Sequence, residues 1–300
     1  MFLEVEDYLF DCQVRGLAGG TLKNYRNHLI RFEKYVREQG IDDVRDIKPL
    51  HIKKFIKYHQ DKGCTNKYVN VIRKVLNQFF DYCIENEYII QNPAQNIKSV
   101  KEEKKVIEVF NDKEVHRLIN YYDYNDYLSA RNKAIVNMMF DTGIRTSELI
   151  GITNDDIQAD RIKIYGKGSK ERFVALSVEL KKVLRRYERI KDNYFYKKEI
   201  PEYYFLSRTG RKLTVETIER IFKKAGKECK VRESVRCTGH TARHYFATKM
   251  MATHDIYTVS KMLGHSTVAN TERYIRTLTD ERLIEQGKVT SPLMSMKKGM

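Results

Sequence analysis

Arg161-Ile162-Lys163-Ile164-Tyr165-Gly166-Lys167-Gly168-Ser169-Lys170-Glu171-Arg172-Phe173-Val174-Ala175-Leu176 is the stretch of this 300-residue chain that breaks a helical pattern. Polar and apolar residues alternate through Arg161–Tyr165 and again through Arg172–Leu176, the period of two expected of a strand with one buried face. Between them, Gly166-Lys167-Gly168-Ser169-Lys170 has the glycines of a turn. The stretch predicts a β-hairpin with a basic tip.

Outside the hairpin the periodicity is helical. Upstream, the pattern predicts helices from Asp112 to about Tyr122 and from Ala130 to about Asp141. Downstream it predicts helices over Ser177–Lys191, Val215–Cys229, Thr241–Thr253, Ile256–Leu263 and Asn270–Thr277. The first hundred residues show no strand pattern. Thr21 is placed to cap a helix carrying Leu22, Tyr25, Leu29, Phe32 and Val36, which Gly40 ends. Ile52, Phe55 and Ile56 mark a second apolar face. Tyr68, Ile72, Val75, Leu76, Phe79, Phe80 and Cys83 mark a third, stopped by Asn92-Pro93.

The fold class is therefore mainly α with a small β-sheet, in two domains, as roughly 100–200 residues per domain would suggest. Residues 1–97 form a helical bundle and residues 108–290 a mixed domain. The charged residues 98–107 form a linker whose Lys101, Lys104 and Lys105 are free to meet phosphate or water. Residues 291–300 are expected to be a disordered tail.

The chain holds 56 Lys and Arg against 40 Asp and Glu, a formal charge of +16. Residues 1–100 contribute +3 and residues 101–300 contribute +13, so the second part is more cationic even for its length. Such an excess asks for a polyanion. Nucleic acid leads over a membrane surface, because no basic amphipathic segment has an aromatic face and tryptophan is absent. A hydrophobic content of 41% excludes a disordered chain. No apolar run approaches the ~18–20 residues that span a bilayer. The N-terminus, Met1-Phe2-Leu3-Glu4-Val5-Glu6-Asp7, lacks the regions of a secretory signal. Cys12, Cys64, Cys83, Cys229 and Cys237 are odd in number and scattered, which suits reduced thiols and a cytoplasmic protein.

Phosphate-cradling glycine loops and His-Glu-x-x-His are absent from the sequence. Cys229, Cys237, His240 and His244 lack the cysteine spacing of a zinc site, so no metal or cofactor is expected. Another set has more to offer. Arg145 follows the Gly143 break and starts a new helix, where backbone N–H groups and the helix dipole favour an anion. His240 and Arg243, three apart, share a helix face. His265 follows the Leu263-Gly264 break, and Tyr274 comes nine residues later. With Lys167 these residues could run phosphoryl transfer without metal: cations and imidazoles on the non-bridging oxygens, tyrosine as nucleophile, lysine as general acid. Taken singly, each is better read as a surface or core residue.

As an ordered set they resemble the tyrosine recombinases of the phage-integrase and Xer type. Thr142-Gly143-Ile144-Arg145-Thr146-Ser147-Glu148-Leu149 resembles the first arginine box. Tyr165–Arg172 resembles the lysine hairpin, and His240-Thr241-Ala242-Arg243-His244 resembles the His-x-x-Arg-His box. Leu263-Gly264-His265-Ser266 with Thr271-Glu272-Arg273-Tyr274 resembles the region of the last histidine and the nucleophile.

The resemblance implies a SAM-like core-binding domain over residues 1–97 and an α+β catalytic domain over 108–290. It implies a site-specific DNA recombinase or integrase that cleaves and rejoins strands through a 3′-phosphotyrosyl intermediate, without metal or ATP. Arg145, His240, Arg243 and His265 would bind the scissile phosphate, Tyr274 would attack it, and Lys167, with Lys170 as the alternative, would be the general acid. Glu148 would support Arg145. The implied partner is double-stranded DNA with an inverted-repeat recombination site, held in a C-shaped clamp by a dimer, with a tetramer in the synapse. Leu278, Arg282, Leu283 and Glu285 suggest a short helix that docks on a neighbouring protomer. No arm-binding domain of the lambda type is expected before residue 1. Two other readings share the fold or the chemistry: a catalytically silent DNA-binding regulator, and a type IB topoisomerase.

Overall fold

The computed structural model describes residues 2–102, 108–166, 171–265, 267–268 and 271. It divides the chain into two compact units, Met1–Lys105 and Val106–Met300.

The first unit is built from α1 (Leu3–Val14), α2 (Gly19–Arg37), α3 (Pro49–Asp61) and α4 (Asn66–Glu85), with a single 3₁₀ turn at Val44–Asp46. The expected stripes point inward, and Leu29, Phe32, Ile52, Phe55, Ile72, Phe79 and Phe80 are fully buried. Phe32 meets Phe55 at 5.2 Å and Phe80 at 6.2 Å in edge-on geometry, which suits the ring quadrupoles. Helix α1 adds Val5, Tyr8, Leu9 and Cys12 to this core. Thr21 is not the cap of α2. The helix starts two residues earlier, with Ala18 at the N-cap, and the carbonyl of Ala18 accepts from the amides of Thr21 and Leu22. The Gly19-Gly20 pair that looks like a break is the first turn itself.

Residues 98–102, read as the start of a linker, lie along α4. The Asn70 side chain clamps Val100, its Oδ1 accepting from the amide at 2.9 Å and its Nδ2 donating to the carbonyl at 2.8 Å. Asn66 donates to the Lys101 carbonyl, and Arg73 to that of Ile97. The rest of the expected linker, 103–107, lies outside the described residues.

The second unit is organised around α6 (Tyr127–Thr142), which packs against α5 (Asp112–Tyr121), α8 (Val178–Tyr194), α9 (Val215–Glu228) and α10 (Gly239–Met250). A helix apolar on most of its circumference belongs at the centre of a core, and Ala130, Ala134, Ile135, Val136, Met138 and Met139 are fully buried. A short α7 (Thr146–Leu149) follows α6, and α11 (Ile256–Leu263) follows α10. The hairpin is present as β1 (Arg161–Tyr165) and β2 (Glu171–Ala175), antiparallel, with Ile162 opposite Val174 and Ile164 opposite Arg172. Strand β2 starts one residue earlier than the alternation suggested, because Glu171 pairs with Tyr165. Ile162, Ile164 and Val174 face the core, while Arg161, Tyr165 and Phe173 are exposed. Of the helix expected at Asn270–Thr277 only Thr271 is described, and the later helix and the tail fall outside the described residues.

Candidate active site

Gly143 sets the geometry of the arginine box. It ends α6 in the left-handed region at φ 61°, which only glycine adopts without strain. A Cβ there would also lie 2.3 Å from the Phe246 ring on α10. This close approach lets the Gly143 carbonyl accept from Arg243 Nη1 at 2.7 Å. The start of α10 is equally tight. A Cβ on Gly239 would fall 2.9 Å from Thr146 Oγ1, so the backbone beside His240 abuts the residue after Arg145. At its far side α10 is tied to the start of α5, where Tyr245 and Lys249 both donate to Asp112.

Arg243 is 2% exposed. Its Nη2 donates to the Leu263 carbonyl at 2.6 Å and lies 2.9 Å from His265 Nε2. A guanidinium can only donate, so His265 Nε2 accepts and its ring proton sits on Nδ1. That proton is donated to Thr271 Oγ1 at 2.7 Å. In this arrangement His265 turns a lone pair, not an N–H, toward Arg243. A phosphate entering between them would take over the arginine donor, and protonation would let the imidazole donate as well.

Arg145 reaches the same turn from the other side, its Nη2 donating to the Gly264 carbonyl at 3.0 Å. Gly264 is itself left-handed at φ 63° and ends α11, which places consecutive carbonyls at the disposal of two arginines. Arg145, Arg243 and His265 thus meet around Leu263-Gly264. Arg145 keeps 37% of its side chain exposed, so it is the open edge of the cluster.

His240 pairs with His244, their Nε2 atoms 3.0 Å apart and their rings edge-on. His244 is buried. Lys167, Lys170 and Tyr274 lie outside the described residues.

Glu148 lies beneath Arg145. It accepts from the Arg145 amide at 2.8 Å and from Nη1 at 2.7 Å. It also takes a two-pronged contact from Arg172, both at 2.8 Å. Burial opposes its ionisation, but the two guanidiniums and the amide outweigh that cost and hold its carboxyl down to about 2. Arg172 and Thr271 are the neighbours that sequence reasoning passed over. The available signals were an arginine directly after the hairpin turn and a hydroxyl six residues past His265. Among the described residues no three His, Cys, Asp or Glu gather as metal ligands. Cys237 donates to the Phe222 carbonyl instead.

Comparison with known proteins places this geometry. Residues 108–281 match the model of the phage integrase family, and residues 5–87 match that of the phage integrase N-terminal SAM-like domain. Tyrosine recombinase XerD of Staphylococcus haemolyticus is 30% identical over 274 residues, covering 90% of this chain and 92% of that one. The fold is similar to XerH site-specific recombinase in a post-cleavage complex with a palindromic difH substrate. There the TM-score is 0.75 and identity 21%, over 95% of this chain and 83% of the other. It is also similar to a lambda integrase dimer on a COC′ core site, with TM-score 0.73 and identity 18% over 93% and 96% of the two chains. With one family model spanning more than half of its length and a relative at this identity along nearly all of it, the chain belongs to the phage integrase family.

Proposed function

We propose that the protein is a site-specific DNA recombinase that cleaves and rejoins strands through a 3′-phosphotyrosyl intermediate. The observation that carries this reading is the convergence of Arg145, Arg243 and His265 on the Leu263-Gly264 turn. Two guanidiniums and an imidazole brought to one point suit a single phosphate with growing negative charge. In the cleavage step Tyr274 Oη attacks the scissile phosphorus and loses its proton to water. The bond from phosphorus to O5′ breaks, and Lys167 gives the departing oxygen its proton. Rejoining runs in reverse, with the 5′-hydroxyl of the partner strand attacking the phosphotyrosine, so the ester's bond energy is kept and no ATP is needed. His240 joins the phosphate from the start of α10, and Glu148 holds Arg145.

The Staphylococcus haemolyticus relative carries the name of a tyrosine recombinase, and the XerH and lambda integrase structures are complexes with their DNA sites. We extend duplex DNA and self-association to this chain on that basis, together with its +16 charge. The first unit, Met1–Lys105, would grip DNA and the second would hold the scissile strand. All five cysteines are free, which suits a reducing cytoplasm. No described helix is long and apolar enough to cross a membrane.

The test is a nicked suicide duplex carrying a site recovered from bound DNA fragments. A covalent adduct forms with the unaltered chain and is lost in Tyr274→Phe. Tight binding with no adduct on that site would instead make the protein a silent regulator. Relaxation of plasmids regardless of sequence would make it a topoisomerase.

A further inference from the structure

Arg172 has no part in the reaction as described, yet it is tied to two parts of the site. It belongs to β2, five residues after Lys167 in the sequence. Nη1 donates to Glu148 Oε1 and Nη2 to Oε2, both at 2.8 Å. On the other side the Gly264 backbone closes over it. A Cβ on Gly264 would lie 2.8 Å from Arg172 Cδ and 2.9 Å from Nε and Nη1. Arg172 is 14% exposed and Glu148 5%. The fork on Glu148 and the Gly264 contact hold the guanidinium, although its buried Nε has no hydrogen-bond partner among the described residues.

We propose that Arg172 is a positioning residue for strand cleavage: it locks Glu148 so that Arg145 and the Gly264-His265 turn face one phosphate. The proposal rests on the reading in which Arg145 binds the scissile phosphate. A carboxylate paired with Arg145 alone could turn with it. The planar fork of a second arginine fixes the carboxylate plane, and with it the direction of Arg145 Nη1, which shares Oε1. Charge adds a second reason. Arg145 and Glu148 alone would cancel, whereas Arg172 restores one formal positive charge to the trio beside the phosphate. A lysine at 172 would return the charge without the fork.

The experiment measures single-turnover adduct formation by the full-length chain on the suicide duplex. A matched duplex carries a methylphosphonate at the scissile position, which removes the negative charge that Arg145 meets. Arg172→Ala, Arg172→Lys and Arg145→Ala are compared with the unaltered chain on each substrate, at equal amounts of DNA-binding protein. On the phosphate, both Arg172 variants should slow by about 100-fold, the cost of misplacing a group from a distance. On the methylphosphonate their loss should shrink to below about tenfold, in step with Arg145→Ala, because less charge needs stabilising. Equal losses on both substrates, or full rescue by lysine, would overturn the assignment and leave Arg172 a fold-stabilising contact. No adduct from the unaltered chain would overturn the functional reading and this proposal with it, an outcome distinct from either of those.

Discussion

The starts of α5 and α7 are two versions of one device. In each, a buried glutamate at the third helical position reaches back to the N-cap amide, Glu114 to Asn111 at 2.9 Å and Glu148 to Arg145 at 2.8 Å. In each, an arginine distant in sequence grips the carboxylate with two nitrogens, Arg232 in the first and Arg172 in the second. Burial opposes ionisation of both glutamates, and these donors nonetheless hold both at about 2. The difference is the N-cap. Asn111 Oδ1 accepts from the Glu114 amide at 2.9 Å, closing the capping box. Arg145 has no acceptor to offer. At α7 the cap is given up, at a cost of about 1 kcal/mol, and a guanidinium stands in its place at the edge of the cluster proposed to hold the phosphate. The same local scaffold closes a full capping box in one region and, in the proposed reading, presents a phosphate ligand in the other.

The largest effect should come from making the second start like the first. Arg145→Asn supplies the missing cap but removes the guanidinium proposed to meet the phosphate. Adduct formation should fall by about 100- to 1000-fold, with little change in melting temperature. Retained cleavage would break the contrast.

Neutralising the two glutamates comes next. Glu148→Gln leaves the 14%-exposed Arg172 without a counter-charge and should cost about 3 kcal/mol of stability, with slower cleavage. Glu114→Gln faces Arg232, which is 47% exposed, and should cost about 1 kcal/mol with cleavage unchanged. Urea midpoints and single-turnover rates measured together decide this pair.

Acid titration acts on both starts in the same direction. A carboxyl held at about 2 when folded, against an ordinary 4.5, contributes stability that is full above the ordinary value and is lost as pH falls toward 2. The urea midpoint of the chain should therefore drop between pH 4.5 and 2, and the drop should shrink in the doubly substituted Glu114→Gln/Glu148→Gln chain. The smallest effect is Asn111→Ala, about 1 kcal/mol of stability and no change in cleavage.

Much of the fold was legible because periodicity reports burial. The hairpin alternation puts Ile162, Ile164 and Val174 inside, and the stripe from Tyr68 to Cys83 becomes α4. Helix starts were less legible. Ala18 caps α2 with its backbone alone, while Thr21, the better capping type, lies within the helix. The order of Arg145, His240, Arg243 and His265 could be read along the chain, but their meeting could not. It depends on two left-handed glycines, Gly143 and Gly264, aiming carbonyls at arginines 100 and 119 residues away. Arg172 was hidden for a similar reason. Its partner Glu148 is 24 residues off, and nothing local separates it from the other 55 Lys and Arg side chains of the chain.

In the proposed reaction the strand is passed to one tyrosine, and mapping that bond tests it most directly. The adduct trapped on the suicide duplex is digested with nuclease and trypsin, and the phosphonucleotide is located by mass spectrometry. A 3′-linked nucleotide is expected on Tyr274, in the peptide that begins after Arg273, and on none of the other tyrosines. A nucleotide on any other residue, or no covalent product at the recovered site, would contradict it.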